Sequence, residues 1–107
     1  MIDAKRLNSI TAGNKETEKR LLNLFISSSR NSFKKISDAC MAENIKELKA
    51  AIHELQGASA NMGIESIYKT CLDAEKTALD NKETRDMLLE AIRTELVKFT
   101  AFANSMN

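Results

Sequence analysis

Apolar residues recur at intervals of three and four along most of the chain, which is the spacing of one face of an α-helix. The longest such run extends from Asn14, a suitable N-cap, to about residue 41. It predicts one helix about 40 Å long, at roughly 1.5 Å per residue. The inward positions of this helix are predicted to be Leu22, Phe25, Ser29, Ser32, Phe33, Ile36 and Cys40.

Two shorter helices are predicted next, with a break at Gly63 between them. Asn44, followed by Glu47 three residues later, is typical of a capping box, in which the two residues satisfy each other's backbone N–H groups. The inner face of the first of these helices is predicted to consist of Ile45, Leu48, Ile52, Leu55, Ser59 and Met62. The second is predicted to end at residues 79–81 and to bury Ile64, Ile67 or Tyr68, Cys71, Leu72 and Leu79.

A last helix is predicted from about residue 83 to residue 104, with Leu88, Ile92, Leu96, Phe99 and Ala103 buried. Residues 3–10 form a further short helix candidate, which needs to dock on the rest of the protein to be stable. Amphipathic helices joined by short connections become antiparallel neighbours. The predicted fold is therefore all-α, an antiparallel up-down four-helix bundle with an additional short N-terminal helix, forming one domain over residues 1–107.

The composition agrees with this fold and limits the kinds of partner that the protein is expected to bind. The 16 basic and 15 acidic residues give a net charge of +1, which provides no electrostatic footprint for nucleic acid or a membrane surface. The N-terminus lacks an apolar signal region, and no apolar run approaches the roughly 20 residues of a membrane span. Cys40 and Cys71 lie on apolar stripes, where cysteine acts as a small hydrophobic residue. We therefore expect a cytoplasmic monomer that binds a protein or a small ligand.

The only histidine, His53, lies on the helix that follows Asn44. At about 100° per residue, it is roughly 125° from the centre of the inner stripe and therefore points outward. The residues on its own face are Lys46, Lys49, Ala50, Gln56, Gly57 and Ala60. This pattern predicts an accessible imidazole beside bare backbone, although a solvated surface histidine would occupy the same position.

Gly57 is unusual because a glycine inside a helix costs about 1 kcal/mol relative to alanine. It lies one turn after His53 on the same face, so its missing side chain would let a partner's backbone or a phosphoryl group approach the ring. Gly57 could instead mark the start of a helix end. Against this, Leu55, Ser59 and Met62 continue the apolar stripe past it.

Metal and nucleophile chemistry fit the sequence poorly. His53 and Glu54 resemble the start of a zinc-protease helix motif, but Gly57 replaces the second histidine. A di-iron bundle requires histidines on two helices. A Ser-His or Cys-His nucleophile would need an oxyanion hole and an orienting acid, which nothing in the sequence marks. We therefore expect no metal site.

Five residues, His53, Leu55, Gly57, Ser59 and Gly63, follow the pattern His-x-Leu-x-Gly-x-Ser-x-x-x-Gly. This pattern resembles the signature of histidine-containing phosphotransfer (HPt) domains, and the helix layout resembles that family over essentially the whole chain. The resemblance implies a helical bundle that exchanges a phosphoryl group with aspartates of receiver domains. It also implies a phosphorelay intermediate between a hybrid sensor histidine kinase and a response regulator, with His53 as the expected phospho-acceptor through Nε2.

The resemblance also implies roles for residues near the histidine. Gly57 would leave room for the phosphoryl group. Gln56 stands where the family usually has lysine, and its amide could donate a hydrogen bond to a phosphoryl oxygen without adding charge. Lys49 could supply the missing cation or be an ordinary solvated lysine. Glu75 is expected near the level of His53, where it would either accept a hydrogen bond from Nδ1 or be a boundary residue without a partner.

Receiver domains are the implied partners, docking around the histidine on a surface that includes Leu7, Ile10, Glu54 and Ala60. A carrier of this kind has no kinase activity and no cofactor of its own, because the Mg²⁺ and the acyl-phosphate aspartate belong to the receiver. Two alternatives remain. One is a helical adaptor that binds receivers without carrying phosphate, which Gln56 favours. The other is the substrate domain of a chemotaxis-type histidine kinase.

Overall fold

The computed structural model describes residues 11–77 and 79–105, and all regular secondary structure in this part of the chain is α-helical. The helices are α1 (Lys15–Met41), α2 (Ile45–Met62), α3 (Glu65–Glu75) and α4 (Lys82–Ser105). Both α2 and α4 pack on α1 and on α3, so the four helices close into a bundle. The predicted all-α four-helix bundle is confirmed. The predicted helix at residues 3–10 lies outside the described residues.

Asparagine side chains cap the first two helices as predicted. The side-chain oxygen of Asn14 accepts from the Thr17 N–H at 3.0 Å, and that of Asn44 accepts from the Glu47 N–H at 3.1 Å. Each cap satisfies one of the N–H groups that the start of a helix leaves without a partner. The predicted reciprocal bond from the Glu47 side chain to the Asn44 N–H is wrong, because that N–H donates to the Ala39 carbonyl at 3.0 Å.

The third helix is about one turn shorter than predicted, since it ends at Glu75 rather than at residues 79–81. The Thr77 hydroxyl donates to the Ala74 carbonyl at 2.7 Å, and the Thr77 N–H donates to the same carbonyl at 3.1 Å. Leu79 is buried as predicted, but from the connection to α4. Its carbonyl accepts a 3.0 Å hydrogen bond from the buried guanidinium of Arg85, a contact that apolar periodicity does not predict.

The inner face of α2 anchors this helix in the core. Leu48, Ile52 and Leu55 are fully buried, as predicted. Each such side chain contributes roughly 1.5–3 kcal/mol on burial, so together they outweigh the ~1 kcal/mol helix cost of Gly57. Ser59 is also fully buried and satisfies its hydroxyl by donating to the Leu55 carbonyl at 2.8 Å. The outer face of α2 is therefore held in place without contributing to the core.

Both cysteines are free thiols that pack with the apolar residues. Cys71 is fully buried, and this burial, together with the charge of Glu75, raises the pKa of its thiol to about 12. Cys40 is half-buried, and the pKa of its thiol is also raised, mainly by burial. Leu72 and Leu96 are half-buried rather than buried. None of the described helices has the length and apolar character needed to cross a membrane.

Gly63 ends α2 in the left-handed conformation, with a φ of 71°. We expect Gly63→Ala to lower the free energy of unfolding by about 1 kcal/mol, because a Cβ is disfavoured at positive φ. Urea denaturation followed by circular dichroism measures the change. Gly63→Asn is the matched control and should lose less, since asparagine tolerates this conformation. Equal stability of Gly63→Ala and the unchanged protein would contradict the prediction.

Candidate functional site

His53 lies on the outer face of α2 with 79% of its side chain exposed, as its angular position predicts. Its Nδ1 is 3.4 Å from Oε1 of Glu75, the last residue of α3, at the long end of hydrogen-bonding distance. A carboxylate can only accept a hydrogen bond, so in the neutral ring this contact places the proton on Nδ1. Nε2 then carries the lone pair, and within residues 11–77 and 79–105 it has no hydrogen-bond partner. The exposed nitrogen is thus the nucleophilic one.

Gln56 is half-buried on α2, three residues after His53, and its carboxamide faces the carboxylate of Glu75. With its nitrogen toward α3, it donates to both oxygens of Glu75, the Oε2 contact being 3.3 Å. The opposite orientation would place the amide oxygen against a carboxylate, which offers no donor. The amide is therefore engaged by Glu75, whereas the sequence suggested a donor free to reach a phosphoryl group.

Gly57 leaves open space on the same face of α2. A Cβ built on this residue would meet no atom of the surrounding structure within 4 Å. Packing inside the bundle therefore does not require a glycine here. No contact within the described residues explains why a glycine, with its helix cost of about 1 kcal/mol, stands here, and the open space leaves room for atoms from outside the domain.

An ion pair between α1 and α2 extends the site beyond the predicted residues. Glu54, next to the histidine, lies with Oε1 3.4 Å from Nζ of Lys35. The pair lines a shallow groove together with Asp38, Glu47 and Ala50. Helical periodicity did not identify Lys35, because it gives the faces of each helix but not the register between two helices. Exposed pairs of this kind contribute only about 0–1 kcal/mol to stability, so this one matters mainly as surface charge beside the histidine.

Two of the remaining predicted residues lie on the exposed part of α2 and, in the described part of the chain, form no hydrogen bond or ion pair with His53 or Glu75. Lys49 and Ala60 are exposed on α2, and in the described part of the chain no ion pair connects Lys49 to Glu75. Leu7 and Ile10 lie outside the described residues. Over the same residues, no cluster of three or more His, Cys, Asp or Glu side chains is arranged to hold a metal ion.

Comparison with protein families places this site in a known context. A family model described as Hpt domain matches residues 20–101, a range that contains α2, α3 and every contact of His53 given above. Comparison with curated proteins gave no match, and neither did comparison with solved structures. The family match agrees with the motif resemblance found in the sequence.

We expect Gly57→Ala to raise the free energy of unfolding by about 0.5–1 kcal/mol, because alanine is the better helix former and its Cβ would enter open space. Urea denaturation of the free protein measures the change. Ala60→Gly, three residues later on the same exposed face, is the matched reverse change and should lose a similar amount. A loss of stability in Gly57→Ala would mean that the bundle itself needs this glycine.

Proposed function

Because the chain belongs to the Hpt domain family, we propose that it is a phosphorelay intermediate of a multistep two-component system. His53 accepts a phosphoryl group from an aspartate of one receiver domain and passes it to an aspartate of another. Hpt domains carry phosphoryl groups between two-component proteins and interact with their receiver domains, and they are carriers rather than enzymes. The chain accordingly has no kinase activity of its own in this proposal.

The observation that carries the proposal is an exposed imidazole whose Nδ1 contacts a carboxylate. The ring is 79% exposed, and Nδ1 is held by the Glu75 carboxylate. A phosphoryl carrier needs an accessible nitrogen nucleophile of fixed tautomer and little other apparatus, because the ring is both a good nucleophile and a good leaving group. The open space at Gly57 supports the same role, since a transferring phosphoryl group is bulky and must approach with its receiver.

The phosphoryl transfer between the receiver aspartate and His53 requires only groups that the two proteins supply. In the forward step, the lone pair of Nε2 attacks the phosphorus of the receiver's acyl phosphate. The P–N bond forms as the P–O bond to the aspartate breaks, and the aspartate leaves as a carboxylate. The ring keeps its Nδ1 proton and gains a positive charge, which the Glu75 carboxylate faces at 3.4 Å.

In the second step, an aspartate oxygen of the next receiver attacks the phosphorus, and the electrons of the P–N bond return to Nε2. No proton has to enter or leave the ring in either direction, so the domain needs no general acid or base. The negative charge on the phosphoryl oxygens is stabilised by Mg²⁺, which we assign to the receiver rather than to this chain. Lys49, an exposed lysine on the same helix, can add positive charge to the complex.

The receiver docks over the face of α2 that carries the histidine. Exposed Ala60 and the Glu54–Lys35 ion pair border this face, and we include Leu7 and Ile10 in the docking surface from the sequence alone. Small residues and scattered charges suit a modest interface that forms and dissociates in each transfer.

The test is transfer of a radiolabelled phosphoryl group from a phosphorylated receiver to the purified chain. We expect label that is labile in acid and stable in alkali, as a phosphoramidate is, and no label on His53→Ala. His53→Gln is the matched control, because it keeps a polar side chain of similar size and should also remain unlabelled. Circular dichroism checks that both variants are folded.

Two results would contradict the proposal. One is label that persists in His53→Ala, which would place the phosphoryl group elsewhere. The other is the absence of label with every receiver of the source organism, combined with a biological output that survives His53→Ala. That combination is the behaviour of an adaptor that binds receivers without carrying phosphate.

A further inference from the structure

We infer that Gln56 is a positioning residue for the histidine and that it acts through Glu75. Its amide holds the carboxylate against Nδ1, and so keeps the proton on Nδ1 and the lone pair on Nε2. The consequence for phosphotransfer rests on the proposed function. The contact itself lies entirely within this chain and can be tested without a partner.

The geometry gives the two residues of α2 one shared target on α3. His53 and Gln56 are three residues apart on the same helix, so their side chains lie on neighbouring parts of one face. The ring contacts Oε1 of Glu75 through Nδ1, and the Gln56 nitrogen contacts both Oε1 and Oε2. A donor that contacts both oxygens fixes the plane of the carboxylate as well as its position. The single long contact from the ring cannot do this.

Glu75 needs such an anchor because its location does not favour a fixed carboxylate. It is the last residue of α3, where the partial negative charge of the helix end opposes it. In residues 11–77 and 79–105, no lysine or arginine forms an ion pair with it. Fixing a glutamate side chain restricts three torsions, which costs conformational entropy. A 3.4 Å contact with an exposed ring offsets only a small part of that cost. Gln56 supplies the remaining hydrogen bonds.

The alternative use of Gln56 is a direct hydrogen bond to the phosphoryl group on Nε2. To make that bond, the amide would have to turn its nitrogen away from Glu75. Both carboxylate oxygens would then lose this hydrogen-bond donor. The freed carboxylate could then turn toward the incoming phosphoryl group and repel it. The contact with the amide nitrogen toward Glu75 avoids this, because it directs the negative charge of Glu75 toward α2 and the Nδ1 side of the ring.

The first part of the test observes the ring directly. The chain contains 1 histidine, so nitrogen NMR of the isotope-labelled protein reports a single imidazole and distinguishes the two neutral tautomers. We expect the proton on Nδ1 in the unchanged protein and a shift toward the other tautomer in Gln56→Ala. Gln56→Glu, which has the same shape but no amide donor, should shift at least as far. Lys46→Ala, an exposed change on the same helix, is the control and should not shift the ratio.

The second part is a double-mutant cycle on the rate of phosphotransfer. We expect Gln56→Ala to lower the rate about fivefold, as for the loss of one ordinary hydrogen bond. Glu75→Ala should lower it at least as much. If Gln56 acts through Glu75, adding Gln56→Ala to Glu75→Ala should cause no further loss. Losses that multiply in the double variant would mean that Gln56 contacts the phosphoryl group itself, and would overturn the inference.

The two parts of the test distinguish a failure of this inference from a failure of the proposed function. A tautomer shift in Gln56→Ala, with no label ever reaching the unchanged protein, would support the positioning role and contradict the phosphorelay role. Labelling of His53 with a tautomer ratio that neither Gln56→Ala nor Gln56→Glu changes would leave the phosphorelay role standing and overturn the positioning role.

Discussion

The burial of Leu48, Ile52 and Leu55 fixes the rotation of α2 about its axis, and the site depends on that rotation. When these three side chains point into the core, the 3.6-residue repeat turns the histidine and Gly57 toward solvent. Burial of the three contributes roughly 5–9 kcal/mol together, at about 1.5–3 kcal/mol each. The exposed contacts of the site are each worth about 1 kcal/mol or less. The core therefore determines where the histidine points, and the site is built on a face that packing has already defined.

The turn at Gly63 sets the position along the bundle of Glu75, the residue that contacts the imidazole ring. His53 lies ten residues before Gly63 and Glu75 lies twelve residues after it, on helices that pack side by side. At about 1.5 Å per residue these separations are roughly 15 and 18 Å, so the two side chains reach nearly the same level of the bundle. The left-handed glycine and the antiparallel course of α3 bring together residues 22 positions apart in the sequence.

Most of the framework could be predicted from the sequence because it depends on local rules. Helical periodicity gave the outward direction of His53 and the buried face of α2, and the caps at Asn14 and Asn44 follow from preferences within one turn. The proximity of Glu75 to the histidine was expected because the helices on either side of the turn at Gly63 run antiparallel. These features need no knowledge of how individual side chains meet across helices.

Most of the features that the sequence did not predict involve contacts between elements. The amide of Gln56 is on the expected face, but only the structure places the carboxylate of Glu75 in front of it. The Lys35–Glu54 pair depends on the register of α1 against α2. The early end of α3 depends on local turn bonds made by Thr77, which periodicity does not encode.

These contacts change the interpretation of the residue that departs from the family pattern. Glutamine in place of the usual lysine at position 56 suggested a weaker hold on the phosphoryl group. With its nitrogen toward α3, the amide instead contacts the carboxylate that lies against Nδ1 of the ring, and such a contact needs only a neutral donor. The site is then a chain of three side chains in which Gln56 holds Glu75 and Glu75 holds His53.

We propose that this arrangement makes Nε2 of His53 the nitrogen that carries the phosphoryl group. The most direct measurement is NMR of the isotope-labelled protein after phosphorylation with phosphoramidate, which requires no receiver. A one-bond phosphorus–nitrogen coupling identifies the substituted ring nitrogen. We expect this coupling at Nε2 alone. Coupling at Nδ1, or an unmodified ring in a protein that has gained a phosphoryl group elsewhere, would contradict it.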